Sequence, residues 1–232
     1  MYKGILFSSL IAFVLVAPLA FTLFAEVGRV LLAETLVQTE PWLLVLASHT
    51  PILILAFFYL QATLQPLRTY GFFYSNAYMK TIIGLGVLSA ILIYAIDMYA
   101  GSLAHINSTP GVITIIGYLL AWAVVAPITE EILLRGIIQT SLREAYGEDW
   151  KIHPAILITV AVETLLHMPP LLGTTNFWEA LVQSSPQIIY IIGFAGVAST
   201  LYHKTKSLTG PILIHCIGNG GELILYWIFA NI

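Results

Sequence analysis

The sequence predicts an all-α fold, a polytopic membrane helix bundle of about seven transmembrane helices. Of its 232 residues, 59% are hydrophobic and only 9% are charged, and the mean hydropathy is +0.90. Ordinary soluble domains carry about 25% charged residues, so this composition cannot provide a water-exposed surface. The apolar residues also form long runs, and a helix needs roughly 20 such residues to cross a bilayer. The chain is therefore predicted to be an integral membrane protein.

Seven apolar runs are candidate spans, and they follow one another along the whole chain. They cover roughly residues 4–25, 42–63, 80–100, 111–143, 154–168, 185–203 and 209–231. The first follows Lys3 as in a signal peptide, but it exceeds the roughly 7–15 residues of a signal core, so we interpret it as a retained span. The fourth is too long for one straight helix, and Pro127 is expected to kink it. The fifth is short because Pro169 and Pro170 end it.

The distribution of lysine and arginine orients the predicted bundle. Of the nine basic residues, seven lie beside loops on one side, Arg29 lies on the other, and Arg135 lies within a span. Basic residues concentrate on the cytoplasmic side of membrane proteins, which predicts a cytoplasmic N-terminus and an external C-terminus. The membrane would be the plasma (inner) membrane in a prokaryote or the endoplasmic reticulum in a eukaryote. Residues 1–232 are predicted to form a single integral membrane domain.

The composition also excludes several function classes. Cys216 is the only cysteine, so an intrachain disulfide and a cysteine-based metal site are both excluded. The net charge is −3 and the sequence has no basic patch, which argues against nucleic acid as a partner. The lipid bilayer is the partner that the composition implies.

The first polar cluster is T-E-E-I-L-L-R-G at residues 129–136, which follows an uncharged apolar run. Ionisable groups at membrane depth are costly, and they usually face the bundle interior at functional positions. Glu131 and Arg135 are four residues apart on a helix and can pair. Glu130 is rotated from Glu131 by about 100°, which leaves its carboxylate available for chemistry. The alternative is an ion-pair network that only anchors the end of the helix.

Two further clusters have the same four-residue spacing. The run V-E-T-L-L-H-M-P-P places Glu163 and His167 on one helix face. The run L-I-H-C-I-G-N-G-G does the same for His215 and Asn219, and Glu222 follows one turn later. Taken alone, each cluster also has a structural interpretation. The first could be a packed histidine, and the second could hold hydrogen bonds between helices that its glycines allow to approach closely.

Together the three clusters predict an active site. A carboxylate shielded from bulk water is a stronger base than one in solution, so Glu130 could activate a water molecule. Histidine and asparagine N–H groups could stabilise the oxyanion of a tetrahedral intermediate. The other histidines lie near breaks or ends of the predicted spans, where no special role is required: His49, His105, His153 and His203.

The order of these motifs resembles the CPBP family of intramembrane proteases, which includes the type II CAAX prenyl endopeptidases and the bacterial abortive-infection-like proteins. The resemblance lies in Glu-Glu-x-x-x-Arg at residues 130–135, in the helix that ends at His167, and in His-x-x-x-Asn at residues 215–219. Gly136 and the lead-in S-L-T-G-P-I-L-I before the third motif also look like the family. The resemblance covers about residues 111–225, which would form the catalytic core.

What the resemblance implies is an intramembrane endopeptidase that hydrolyses a peptide bond of a membrane-associated, prenylated or secreted peptide. Carried over by position, Glu130 would activate the water and His167 would help to hold it. His215 and Asn219 would form the oxyanion site.

Three more residues would have supporting roles. Glu131 and Arg135 would brace their helix. The family's second motif is usually Phe-x-x-x-His, whereas Glu163 stands at the aromatic position here. Glu163 could orient His167 as a hydrogen-bond acceptor. This departure from the family's motif affects the prediction of the substrate more than the prediction of the reaction.

The resemblance leaves the use of a metal open. The family is often described as metalloproteases, and Glu130, His167 and His215 are plausible zinc ligands. The same groups can act as a metal-free glutamate protease, and no His-Glu-x-x-His motif occurs in the sequence. We therefore expect no cofactor and keep zinc as the alternative.

Two non-proteolytic interpretations use the same residues. A membrane immunity or peptide-binding protein could keep this fold and capture a peptide in the polar pocket without cleaving it. A small transporter would also need buried glutamate and histidine, but the internal symmetry typical of transporters is not found in the sequence.

Overall fold

The computed structural model describes residue 20 and residues 23–32, 40–100, 110–147, 152–168 and 176–229. Within these ranges the regular structure is helical, with no strand. A short helical stretch at residues 23–31 and a 3₁₀ turn at Leu67–Tyr70 accompany six longer helices. These are α1 (Trp42–Ala62), α2 (Met79–Ala100), α3 (Val112–Tyr146), α4 (Pro154–Leu166), α5 (Phe177–Thr205) and α6 (Thr209–Phe229).

Five of these helices are long and apolar enough to cross a membrane: α1, α2, α3, α5 and α6. The fold class predicted from the sequence, an all-α membrane bundle, is therefore confirmed. The helix α4 has 13 residues and a length of about 20 Å, which is less than the hydrocarbon core of about 30 Å. The predicted first span, residues 4–25, lies almost entirely outside the described residues.

The distribution of side chains is the reverse of that in a soluble protein. Large apolar side chains such as Ile113, Val182 and Ile189 are exposed on the outside of the bundle. Polar side chains are buried inside it, among them Thr129 and Thr140 of α3. Because hydrocarbon rather than water surrounds a spanning helix, the polar groups are collected in the interior, where they can satisfy one another.

The most extensive helix contact is between α2 and α6, and glycines make it possible. A Cβ atom added to Gly86 of α2 would lie 2.8 Å from Cβ of Ile217. A Cβ atom added to Gly221 of α6 would lie 2.6 Å from Cβ of Ala90. Such distances are too short for any side chain, so these glycines let the two backbones pack closely. This contact presents one face of α6 to the interior of the bundle.

The long helix α3 is not a regular α-helix along its whole length. It contains two π-helical stretches, Ala121–Val125 and Ile132–Gln139. In the first stretch the amide of Ala126 donates to the carbonyl of Ala121, five residues earlier. The helix continues through Pro127, the position of the kink predicted from the sequence, immediately after this wider turn. Such π-helical turns are often found at functional sites, and Glu130 lies between the two stretches.

Candidate active site

A polar cavity of about 230 Å³ lies inside the bundle, and all six helices contribute to its wall. The sequence predicted four catalytic residues, and all four line this cavity: Glu130, His167, His215 and Asn219. Glu163 and Glu222 line it as well. The helix packing therefore brings together side chains that are up to 92 residues apart in the sequence.

The most deeply buried part of the site is an ion-pair cluster around Arg135. Its Nη1 donates to Oε1 of Glu131 at 3.0 Å, and its Nη2 donates both to the Glu163 carboxylate and to the backbone carbonyl of Ala195. Arg135 and Glu131 are fully buried, and Glu163 is 1% exposed. The guanidinium and its two carboxylates compensate one another, which is how charged groups are tolerated at this depth. This trio, Arg135 with Glu131 and Glu163, is called the Arg135 cluster below.

The pairing of Glu163 differs from the prediction made from the sequence. We expected its carboxylate to orient His167, but the carboxylate binds Arg135 instead. A buried guanidinium attracts a carboxylate more strongly than a neutral imidazole does, because its charge is permanent. His167 follows the last residue of α4, and its Nδ1 lies 2.9 Å from the backbone carbonyl of Glu163. That carbonyl can only accept, so Nδ1 carries the proton and Nε2 of the neutral ring is an acceptor.

His215 connects the Arg135 cluster to Glu130. Its Nδ1 lies 3.0 Å from Oε1 of Glu131, and the ring of Phe194 packs edge-on against it at a centroid distance of 4.8 Å. Glu131 is held as a carboxylate by Arg135 and can only accept, so His215 Nδ1 donates to it. The other ring nitrogen, Nε2, lies 3.9 Å from Oε2 of Glu130. One carboxylate thus sets the tautomer and orientation of the histidine that faces the other.

Glu130 is the least compensated carboxylate of the first motif. Its side chain is 14% exposed, whereas that of Glu131 is fully buried. Its Oε1 lies 3.2 Å from Nε2 of His49. Its Oε2 is buried and has no hydrogen-bond partner among the described residues. No arginine or lysine is paired with it in the described ion pairs, and its partners there are the histidines His49 and His215.

Asn219 makes a contact between helices that the backbone of α3 requires. Its Nδ2 donates to the carbonyl of Trp122 at 3.0 Å. The π-helical pattern that joins Ala126 to Ala121 would next pair the amide of residue 127 with the carbonyl of Trp122. Pro127 has no N–H, and Asn219 supplies the missing donor. One N–H of Asn219 is therefore used structurally, and its amide has a second N–H for the cavity.

A second pair of carboxyl groups lines the same cavity, on α2 and α6. Asp97 and Glu222 are each 7% exposed and are hydrogen-bonded to each other. A hydrogen bond between two carboxyl groups requires a proton on at least one of them. Glu222 was noted from its spacing in the sequence but Asp97 was not, although an aspartate within the apolar run of residues 80–100 is itself a signal of an interior polar group.

Sequence reasoning also missed His49, which it grouped with histidines of no special role. The structure places His49 on α1, in contact with Glu130 and in the wall of the cavity. The signal was available, because His49 is the eighth residue of a 21-residue apolar helix rather than a residue at its end. The rule for ionisable groups at membrane depth applies to it as much as to Glu130.

The described residues do not form a metal site at this position. The possible zinc ligands were Glu130, His167 and His215, but no group of three or more His, Cys, Asp or Glu side chains among the described residues is arranged to hold a metal ion. The Nδ1 atoms of both histidines are engaged by protein acceptors, which leaves Nε2 as the ring nitrogen that could bind a ligand.

Comparison with known proteins finds one similarity, to a protein family. Residues 111–221 match the family model described as type II CAAX prenyl endopeptidase Rce1-like. The matched range runs from the start of α3 to the middle of α6 and contains all four predicted catalytic residues. No curated protein and no solved structure matches the chain. Over residues 111–221, the chain is therefore similar to the type II CAAX prenyl endopeptidase Rce1-like family.

Proposed function

We propose that the protein is an intramembrane endopeptidase in which Glu130 activates the attacking water. The observation that carries the proposal is the state of the Glu130 carboxylate. Its Oε1 is in contact with His49, whereas its buried Oε2 has no hydrogen-bond partner among the described residues and lies 3.9 Å from Nε2 of His215. A water molecule beside Oε2 could contact the base and this histidine together, which is the geometry that general-base catalysis needs.

The proposed reaction uses only groups in the cavity wall. The water oxygen forms a bond to the scissile carbonyl carbon while one of its protons passes to Oε2 of Glu130. The electron pair of the carbonyl double bond moves to its oxygen, and N–H donors stabilise this oxyanion. When the intermediate collapses, the carbon–nitrogen bond breaks and Glu130 returns the proton to the leaving amine. Glu130 is then a carboxylate again, and the enzyme is ready for another cycle.

Two side chains are candidate donors to the oxyanion: Asn219, through its second N–H, and His215, whose Nε2 donates when the ring is an imidazolium because Nδ1–H is already used by Glu131. We propose that His167 helps to hold the water. Each of the three lines the cavity and has one polar group already held by the protein. A side chain fixed in this way has little freedom to lose when the charge develops, which makes it an effective electrostatic stabiliser. The Arg135 cluster contributes indirectly, because it holds Glu131 in place and Glu131 orients His215.

The test is peptide cleavage by purified protein in liposomes, with Glu130→Gln as the decisive variant. Glutamine preserves size and most hydrogen bonding but cannot take a proton from water, so we expect the rate to fall by at least about 100-fold while the folded yield is unchanged. Glu179→Gln is the matched control, because Glu179 is an exposed glutamate at the start of α5. If Glu130→Gln cleaves at the wild-type rate, Glu130 is not the base. If the wild-type protein itself releases no peptide, a non-catalytic peptide-binding function takes the place of the proposal.

A second arm of the same assay addresses the cofactor. We propose a metal-free reaction, so a strong chelator should leave the rate of the wild-type protein unchanged. Loss of activity with chelator and recovery with added zinc would instead assign a metal to the site.

For the substrate we propose a membrane-associated peptide with a lipid-modified or strongly apolar segment. An apolar cavity of about 400 Å³ between α2 and α5 shares Tyr190 and Phe194 with the polar cavity. The family description names CAAX prenyl endopeptidases, so a prenylated CAAX peptide is the first substrate to test. Matched peptides with and without the prenyl group should differ in KM if the apolar cavity holds the chain. Equal KM values would reject a prenyl-binding role for it.

We also propose that the N-terminus is cytoplasmic and the C-terminus external. The support is the concentration of lysine and arginine beside the loops of one side. A reporter active only outside the cytoplasm should report at the C-terminus, and one active only inside should report after Lys206. Reversed signals at both positions would reject this orientation.

A further inference from the structure

His49 contacts the proposed base from a helix outside the part of the chain that matches the family. It belongs to α1, whereas the match begins at residue 111. Its Nε2 lies 3.2 Å from Oε1 of Glu130, and both side chains are 14% exposed. At such burial a contact between a histidine and a carboxylate is poorly screened by water, so it affects the charge and the position of both groups.

The other side of the His49 ring is fixed by its own helix. Its Nδ1 lies 2.9 Å from the carbonyl of Val45 and 2.9 Å from Oγ of Ser48. If Nδ1 is protonated it donates to the carbonyl, and if it is not it accepts from the Ser48 hydroxyl. The ring is held in the same place in both cases. Its Nε2 can then donate to the Glu130 carboxylate, either as a neutral imidazole or as an imidazolium.

We infer that His49 is a positioning residue that binds Oε1 of Glu130 and thereby leaves Oε2 as the oxygen that receives the proton. The inference rests on the proposed function, in which Glu130 is the base. A carboxylate side chain that is free to rotate would present either oxygen to the water, and in many directions. Anchoring one oxygen fixes the plane of the carboxylate and directs the other toward the water site, which lowers the entropic cost of reaching the transition state.

Among the described contacts of Glu130, no other side chain fixes one of its oxygens by a hydrogen bond. His215 is 3.9 Å from Oε2, beyond hydrogen-bond distance, and its Nδ1 is engaged by Glu131. His167 lines the cavity, but its described hydrogen bond is to the backbone of Glu163. The two oxygens of Glu130 are therefore distinguished by His49, one occupied and one available.

The experiment compares His49→Gln with His49→Asn in the liposome assay. The amide nitrogen of glutamine reaches about as far as Nε2 of histidine, so it can still donate to Oε1 of Glu130. The amide of asparagine ends near the position of Nδ1 and cannot. We expect His49→Asn to lower kcat by about 10- to 100-fold, the value of a hydrogen bond to a charged group, with KM within about twofold of wild type. His49→Gln should retain kcat within about fivefold.

Two further proteins complete the experiment. His203→Asn is the control, because His203 lies on α5 against the ring of His153 and does not line the cavity; it should change kcat by less than about twofold. Glu130→Gln is measured in parallel. If Glu130→Gln is inactive while His49→Asn has wild-type kcat, or if His49→Gln and His49→Asn lose kcat equally, the inference about His49 is wrong and the proposed function stands. If Glu130→Gln remains active, the proposed function itself fails.

Discussion

Two neighbouring parts of α3 differ in how their buried carboxylates are paired. In the Arg135 cluster, one arginine is bonded to two carboxylates, and all three side chains are at most 1% exposed. Glu130, one residue before Glu131, is 14% exposed and has one oxygen without a partner among the described residues. Its neighbours are histidines. The two adjacent glutamates of one motif thus have different partners. Glu131 pairs with an arginine, whose charge is permanent, and Glu130 pairs with histidines, whose charge is not.

The difference supports the proposal that Glu130, rather than Glu131 or Glu163, is the catalytic carboxylate. Arginine keeps its proton at any pH that a cell experiences, so Glu131 and Glu163 remain committed to it. Histidine has no permanent charge, so Glu130 is not paired with a fixed cation as Glu131 and Glu163 are. The Arg135 cluster is expected to stabilise the fold and the Glu130 site to perform the reaction. Substitutions can test this division.

The largest effect is expected for Arg135→Ala. Removal of the guanidinium leaves Glu131 and Glu163 buried together without a cation, which costs about 3–5 kcal/mol. The variant should therefore lose most of its folded protein in detergent as well as its activity. Size-exclusion chromatography and thermal unfolding measure the first, and the liposome assay measures the second.

The control for this substitution is Lys204→Ala, which removes an exposed cation near the end of α5. It should behave as wild type in both measurements. A folded Arg135→Ala protein with reduced activity alone would contradict the division, because it would place Arg135 in the reaction rather than in the fold.

A smaller effect is expected for Glu163→Phe, which introduces the residue usual in the family's second motif. The ion pair between Arg135 and Glu163 is lost, but Glu131 still compensates the arginine, so we expect stability to fall by about 2–3 kcal/mol. The fraction of wild-type activity should follow the fraction of folded protein. Activity per folded molecule is the quantity to measure.

Glu163→Gln is the matched variant, because it keeps the shape and a hydrogen bond to Arg135 while it removes the charge. It should be the more stable of the two. If either variant loses activity per folded molecule by more than about tenfold, Glu163 contributes to the reaction and the division between the two regions is less sharp than we propose.

The smallest effect concerns the bond between Asn219 and the carbonyl of Trp122. Asn219→Ala removes this donor and should destabilise the protein by about 1 kcal/mol. Pro127→Ala restores a backbone N–H to α3, so the double variant should recover part of the lost stability even though its activity stays low. Thermal unfolding of the two single variants and the double variant forms the cycle. If the change in stability of the double variant equals the sum of the changes in the two single variants, Pro127 and Asn219 are not linked.

The four-residue spacings were predictable because they depend on one helix at a time. Glu131 and Arg135 form the ion pair that their spacing indicated, since residues four apart on a helix are neighbours wherever that helix lies. The apolar runs located the five spanning helices for a similar reason, because span length is set by bilayer thickness. The run at residues 154–168 was found as a helix, but it is too short to span the bilayer alone.

Contacts between helices were not predictable in this way. Glu163 was expected beside His167, its neighbour in sequence, but it binds Arg135, 28 residues away. The contact of His49 with Glu130, 81 residues later, could not be predicted because nothing in the local sequence connects the two residues. Such pairs depend on the axial position and rotation of one helix relative to another. The local pattern of a single sequence gives neither of these.

By itself, therefore, the sequence determined that the chain lies in a membrane, where most of its spans run, and which glutamates, histidines and asparagine were candidates for chemistry. These properties follow from hydropathy and helical periodicity, which are local. Only the tertiary structure decided that Arg135 also pairs with Glu163, which histidine binds Glu130, and which oxygen of Glu130 is left available. The physical reason is that the charge state and orientation of a buried group are set by the partners that other helices bring to it.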